Sequence, residues 1–302
     1  MSQAQLTIVI PVYNRATIVE RTLASVAAQT LRPLAVVLVD NNSSDNTLEV
    51  LQRWAKVNTA PDFAVEVITE PRPGAANARN AGLARVATPW TMFFDSDDIM
   101  LPDHCASAIA TAAANPSAQI IGWDAEVNFT DGKKMRQSFK THNILFHNLF
   151  HGSLSTQMYM AQTKLFHGAG GWNGNVCIYD DIELGIRMIN LHPVVAKRNG
   201  TLLVKIYQQS DSISNTTSGF QSCEVGLTEI EHNLPQRYKY WADLQRIAKL
   251  AKWGKDLPDS KGIAKIILRR QSTIRRSLWS FYYHYATRGG RGLNILVKLL
   301  SL

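Results

Sequence analysis

The chain has 302 residues, of which 45% are hydrophobic, 9% aromatic and 19% charged, with a formal net charge of +8. That balance belongs to a folded globular protein and excludes a disordered or collagen-like chain. Cys105, Cys177 and Cys223 are scattered without a C-x-x-C pair. This excludes a disulfide framework or structural zinc site and fits a reducing compartment.

The length suits one large domain or two. No stretch approaches the roughly 20 apolar residues of a membrane-spanning helix. The opening Met1 to Gln5 lacks the charged and apolar regions of a signal peptide. A cytoplasmic location is therefore expected. The charge is uneven: residues 1–224 carry a net −2 and residues 225–302 a net +10. Such asymmetry points to a membrane surface or a nucleic acid as partner of the tail.

In chain order, Leu6 to Ile10 reads as an apolar strand, stopped by Pro11. Thr17 to Gln29 has helical spacing, with Thr17 as candidate N-cap. Leu34 to Val39 is a second buried strand ending at Asp40. A helix follows over Thr47 to Val57, a strand over Phe63 to Ile68, and an Ala-rich helix over Ala75 to Val86. Trp90 to Phe94 is the next strand. Strands alternating with helices predict βαβ units and a parallel sheet. Beyond residue 115 the pattern is mixed. Strands are expected at Gln119 to Trp123, Glu126 to Phe129 and Thr201 to Tyr207, and a helix at Asp181 to Asn190. Phe139 to Gly152 shows no clear period. From 225 the chain reads as helical, with a break at Asp256 to Asp259.

Asp95-Ser96-Asp97-Asp98 sits at the tip of the strand Trp90 to Phe94. Carboxylates crowded at a buried strand end repel one another, and a divalent cation sharing substrate phosphates would relieve this. A solvated turn with Asp97 or Asp98 capping the next helix is the rival reading. The other strand ends are polar too: Pro11-Val12-Tyr13-Asn14-Arg15 and Asp40. Ligands bind at the carboxyl ends of strands in open α/β sheets, so these loops are expected to converge on one crevice. There is neither a G-x-G-x-x-G after the first strand nor a G-x-x-x-x-G-K-[ST]. A dinucleotide fingerprint and a P-loop are thus unsupported.

Thr7 to Arg15, then Val39-Asp40-Asn41-Asn42-Ser43-Ser44-Asp45-Asn46-Thr47, then Gly74 with Ala78 to Leu83, then Phe94 to Asp98 occur in order. Together they resemble family 2 glycosyltransferases. The resemblance covers roughly 6–105, is weaker over 165–215 and is absent from the tail. It implies a GT-A-type nucleotide-sugar-binding fold with a mainly parallel central sheet and inversion at the anomeric carbon. Pro11, Tyr13 and Asn14 would lie at the base pocket, and Asp40 would accept from a uracil ring. Arg79 would lie near the pyrophosphate or the base. Asp95 and Ser96 would face the ribose, and Asp97, with Asp95, would hold Mn²⁺ or Mg²⁺; Asp98 is expected to be structural.

In the second half, Gly170-Gly171-Trp172 and Tyr179-Asp180-Asp181-Ile182-Glu183-Leu184 resemble the family's acceptor side. Asp181 would be the general base and Asp180 would stand where a Glu is usual. The competing reading is that these acids only favour a helix N-terminus. Trp172 would stack on an acceptor sugar or belong to the core. Gln209 occupies the place of a metal-assisting His, which implies a weaker metal ligand. His142, His147, His151 and His167 lack zinc-ligand spacing.

The expected organisation is a catalytic domain over 1–224, with a nucleotide-binding half 1–115 and an acceptor half 116–224, and a helical basic region over 225–302. In that region Ile263, Ile266, Ile267, Ile274, Leu278 and Tyr282 recur at helical spacing beside Arg269, Arg270, Arg275 and Arg276. A basic amphipathic segment over 262–302 suits the inner face of a cell membrane or a subunit contact, including a homo-oligomer; nucleic acid is disfavoured. The functional expectation is an inverting, metal-dependent transferase. It would move a sugar from a nucleotide-linked donor, expected to be UDP-linked, to a hydroxyl of a glycan or lipid-linked acceptor in cell-surface polysaccharide synthesis. The alternatives are a silent nucleotide-sugar-binding scaffold and a processive synthase; the latter should carry spanning helices and a Gln-x-x-Arg-Trp motif, and Gln245-Arg246 is only a faint echo.

Overall fold

The computed structural model describes residues 3–208, 219–253, 257 and 259–287. Two compact units divide the chain, Met1–Ser210 and Asp211–Leu302.

The first unit starts with β1 (Leu6–Val12), α1 (Val19–Ala27), β2 (Leu34–Asp40), α2 (Thr47–Asn58), β3 (Phe63–Thr69), α3 (Ala75–Leu83) and β4 (Trp90–Phe93). It continues with β5 (Ile99–Met100), α4 (His104–Ala114), β6 (Ile120–Trp123), β7 (Ala125–Asn128), β8 (Lys134–Gln137) and α5 (Ile144–His151). A 3₁₀ turn at Thr156–Met158 leads into β9 (Tyr159–Gln162), α6 (Thr163–Gly168), α7 (Asp180–Ile189), β10 (Val195–Arg198) and β11 (Val204–Tyr207). The main sheet has seven strands in the order β10-β6-β9-β4-β1-β2-β3, and a smaller one runs β5-β11-β7-β8. In the main sheet only β9 runs antiparallel to its neighbours β4 and β6; the remaining pairings are parallel. The expected mainly parallel α/β sheet is present.

Every residue of β1 is buried, as an interior strand covered by helices on both faces requires. Helix α3 covers one face closely. A Cβ added at Gly82 would collide with Val9 Cγ1 and come within 3.1 Å of Val39 Cγ2. Only a residue without a side chain lets α3 approach β1 and β2 this far. Arg79, three residues earlier on the same helix, is thereby carried to the strand ends.

Two local expectations are corrected. Helix α1 starts at Val19 with Ile18 at its cap, and Thr17 caps nothing. The loop after β2 explains this, because Thr47 Oγ1 and Asp45 Oδ2 accept from the Arg15 and Ala16 amides and fix the entering backbone. The segment Phe139 to Gly152, which lacks a clear period, contains α5, whose cap residues Asn143 and Gly152 are both left-handed.

The second unit is helical: α8 (Gly219–Asn233), a 3₁₀ turn (Gln236–Tyr238), α9 (Tyr240–Trp253), α10 (Ser260–Arg269) and α11 (Thr273–Ala286). Its helices therefore begin before the charge change at 225. Helix α9 packs against α8, α10 and α11. Arg246 is buried in α9 and pairs with Glu224 at 2.7 Å, Glu231 at 2.6 Å and Asp243 at 3.1 Å. That network makes Arg246 a structural hub of the helical unit. No helix among the described residues is long and apolar enough to cross a membrane.

Candidate active site

The carboxyl ends of β1, β2 and β4 are neighbours because the three strands are adjacent and parallel. Pro11 is buried within β1, while Tyr13 immediately after it is 58% exposed. Asn14 adopts a left-handed backbone with φ 50°. Its Oδ1 accepts from the Ser44 amide at 2.8 Å and its own amide donates to Ser43 Oγ at 3.0 Å. The two loops after β1 and β2 are thus stitched together, with the Tyr13 ring left facing outward.

Asp40 ends β2 and is buried. One carboxylate oxygen, Oδ2, accepts from the Ser43 amide at 3.2 Å. The other, Oδ1, is buried with no hydrogen-bond partner within the protein. A buried acceptor left unpaired is costly, so this oxygen is suited to a donor from outside the chain. Next to it, Asn41 ties the strand ends together by donating to the Glu70 and Arg72 carbonyls and accepting from the Gly74 amide.

Around Asp95 the geometry is tight. Arg79 Nη2 donates to Asp95 Oδ1 at 2.9 Å, and Arg79 Nη1 donates to Asp180 Oδ2 at 2.7 Å. The guanidinium, 6% exposed, lies 4.4 Å from the centre of the Trp172 ring. Burial works against its charge, but Asp95 and Asp180 outweigh it and hold Arg79 firmly protonated. The second Asp95 oxygen accepts from Gln157 Nε2. Gln157 comes from the 3₁₀ turn before β9 and was not singled out in the sequence, because no motif marks it.

Arg79 donates one terminal nitrogen to each carboxylate and so joins the two halves of the site. Of the two readings of Trp172, its burial favours the core. It is 3% exposed, packs edge-on to Phe93 at 5.1 Å between centroids, and has Arg79 across its ring. Such a ring leaves no open face for a sugar. Asn80 fixes the Trp172 backbone by donating to its carbonyl at 2.7 Å and accepting from its amide at 2.8 Å.

Asp97 and Asp98 differ in their surroundings. Asp98 is buried, and its Oδ1 accepts from the Tyr207 amide at 2.8 Å, which ties β11 to the loop after β4. Thr22 Oγ1 anchors the same loop by donating to the Ser96 and Asp98 carbonyls. Neither Asp97 nor Asp98 caps the next helix; Asp103 precedes α4. The Asp97 side chain stays 18% exposed, with Arg15 Nη2 at 3.9 Å. Burial and the nearby Asp95 charge push its carboxyl above the usual range. A cation would relieve that strain. Among the described residues no group of three or more His, Cys, Asp or Glu could hold a metal ion by itself. Asp95 and Asp97 fit a hard cation that takes its remaining ligands from phosphate oxygens and water, the usual arrangement for Mg²⁺. Gln209 lies outside the described residues.

On the opposite wall, Asp180 and Asp181 open α7. Asp181 Oδ1 accepts from the Ile182 amide at 2.7 Å. Burial, followed by the charge of Asp180, pushes the Asp181 carboxyl up to about 7. Within α7 the buried Glu183 accepts from Arg187 Nε at 2.6 Å and Nη2 at 2.7 Å, one turn on. A carboxylate with a near-neutral value beside the Arg79 bridge is a candidate proton acceptor.

Residues 7–172, more than half of the chain, match the profile of the family described as Glycosyl transferase family 2. The chain belongs to glycosyl transferase family 2. Among relatives of this chain, the succinoglycan biosynthesis protein ExoW of Rhizobium meliloti is 38% identical over 108 residues, which cover 35% of the chain and 33% of ExoW. Matches to two other bacterial relatives cover no more than 38% of their length. The family 2 fold is also seen in solved structures. S. aureus TarS in complex with UDP superposes with a TM-score of 0.66 at 15% identity, covering 93% of the chain and 86% of that one. The mannosyltransferase PcManGT of Pyrobaculum calidifontis, in complex with GDP-Man and Mn²⁺, gives 0.56 at 18% identity, covering 95% and 86%. These likenesses place the fold among GT-A glycosyltransferases.

Proposed function

We propose that this family 2 member is an inverting glycosyltransferase that uses a UDP-sugar donor and a glycan or lipid-linked hydroxyl acceptor in surface polysaccharide synthesis. The observation that carries the reading is the Arg79 bridge. One guanidinium joins Asp95, at the donor end of the sheet, to Asp180, beside the candidate base Asp181. A nucleotide-sugar held at the strand ends would then present its anomeric carbon towards α7.

Each residue has a physical task in this account. The unpartnered Oδ1 of Asp40 accepts from the ring N–H of the uracil, and Tyr13 offers an exposed ring beside it. Arg15, within 3.9 Å of Asp97, pairs with diphosphate oxygens. Asp97, with Asp95, would hold Mn²⁺ or Mg²⁺. When bound, such a cation neutralises the charge that develops on the departing diphosphate. Asp181 takes the proton of the acceptor hydroxyl as its oxygen bonds to the anomeric carbon. The bond from that carbon to the diphosphate breaks in the same displacement, and the nucleoside diphosphate leaves with the electron pair. Inversion follows from attack opposite the leaving group.

The test is nucleoside diphosphate release (UDP from UDP-sugars, GDP from GDP-sugars) across a donor panel, with and without Mn²⁺, by the wild type and Asp97→Asn. Mn²⁺-stimulated release from a UDP-sugar, lost in Asp97→Asn, is expected. Equal release by both proteins would remove the metal role, and turnover of GDP-sugars alone would remove the uracil assignment.

A further inference from the structure

Helices α10 and α11 enclose an open cleft of about 970 Å³ within the second unit. Four cationic side chains line it, Lys261, Lys265, Arg269 and Arg276, and no carboxylate does. Ser280 and His284 add polar groups from α11. Three of the cations stand at successive four-residue steps on α10, which stacks like charges along one helix face. Like charges at that spacing repel and destabilise a helix.

Arg246 is surrounded by three carboxylates. None of the four cleft cations enters an ion pair among the described residues. Arg276 is the one with a structural duty, donating to the carbonyls of Leu268, Arg269 and Gln271 and so closing the end of α10. Lys261, Lys265 and Arg269 are exposed, and among the described residues no hydrogen bond engages their side chains. Their repulsion would be relieved by an anion with several oxygens, and a phosphate ester supplies these at tetrahedral spacing. The cleft has the volume of a small-molecule site.

We propose that the α10–α11 cleft is a binding site for a phosphate-bearing ligand, separate from the transfer site. The phosphate belongs either to an anionic lipid headgroup or to a soluble phosphorylated compound. The cleft requires only the phosphate, and it does not depend on the transferase reading. On the far side of α11, Ile274, Leu278, Phe281 and Tyr285 form an exposed apolar stripe at four-, three- and four-residue steps. A bilayer source would engage that stripe as well; a soluble source would not.

The experiment uses the full chain with two probes, inositol hexakisphosphate and vesicles of phosphatidylglycerol in phosphatidylcholine, with pure phosphatidylcholine vesicles as reference. Lys261→Glu/Lys265→Glu is compared with Arg53→Glu/Lys56→Glu, which makes the same charge change on exposed positions of α2. Lys261→Ala/Lys265→Ala repeats the test without reversing charge. The wild type and the α2 variant are expected to bind at least one probe, and the cleft variants to bind it at least about tenfold more weakly. Loss confined to the vesicles, shared by Phe281→Ser, assigns the phosphate to a lipid headgroup. Loss of inositol hexakisphosphate binding assigns it to a soluble ligand. Failure of the wild type to bind either probe would overturn the proposal, as would equal binding by the cleft and α2 variants.

Discussion

Arg79 and Asp180 stand 101 positions apart in the chain, yet Nη1 and Oδ2 meet at 2.7 Å. The same guanidinium holds Asp95 at 2.9 Å. Removing it would leave two partly buried carboxylates facing each other. Arg79→Ala is therefore expected to lower unfolding stability by about 3–5 kcal/mol, the range for breaking a buried ion pair. Arg79→Lys keeps the charge but not the planar fork, and should recover only part of the loss. Urea unfolding of the three proteins checks both statements.

The position of Arg79 rests on the close approach of α3 to the sheet. Gly82→Ala would push a methyl group into Val9 Cγ1. A destabilisation of about 1–3 kcal/mol is expected from overpacking. Val9→Ala/Gly82→Ala should be more stable than the sum of the two single changes predicts, because the shortened Val9 gives the new methyl room. A double-mutant cycle measured by denaturant unfolding reads this coupling directly.

Asp40 offers a prediction about ligand binding. Its Oδ1 has no partner in the protein, so Asp40→Ala removes an acceptor free for a ligand, along with the Oδ2 bond to the Ser43 amide. UDP affinity is expected to fall about 10- to 100-fold, the equivalent of losing a hydrogen bond to a charged group. Calorimetric titration of UDP against wild type and variant provides the measurement.

Much of this arrangement is legible in the sequence, for a physical reason. Strands β1, β2 and β4 are short apolar runs with polar residues just beyond or at their ends, so they stand out, although β1 runs on through Pro11 to Val12 instead of stopping there; β3 shows instead by its alternation. The ordered blocks at 7–15, 39–47, 74–83 and 94–98 then suffice for the family and the fold. What stays hidden is set by tertiary structure. Strand β9 is four residues long and antiparallel in the middle of a parallel sheet, and no periodicity distinguishes it. Gln157 reaches Asp95 from the turn before that strand, a placement that only chain packing creates. The duty of Arg79 is invisible for the same reason, since its two partners are brought together by the fold. Trp172 follows a Gly-Gly pair and reads equally well as platform or core; burial beneath Arg79 decides for core.

The central claim is that Asp181 takes the acceptor's proton, and the pH profile of turnover tests it most directly. The Asp181 carboxyl is raised to about 7, by burial first and by Asp180 second. A base works only when unprotonated, so kcat/KM should rise with pH and level off above about 7. Stability responds in the opposite direction: this raised group contributes most at acidic pH and its contribution is lost as pH rises through the folded value. The measurement is UDP release from a UDP-sugar with Mn²⁺ across this range, for wild type and Asp181→Asn. The account predicts an acid limb near 7 in the wild type and about 10²- to 10⁴-fold slower release in the variant, with UDP affinity retained. A variant as fast as the wild type, with the same acid limb, would contradict it.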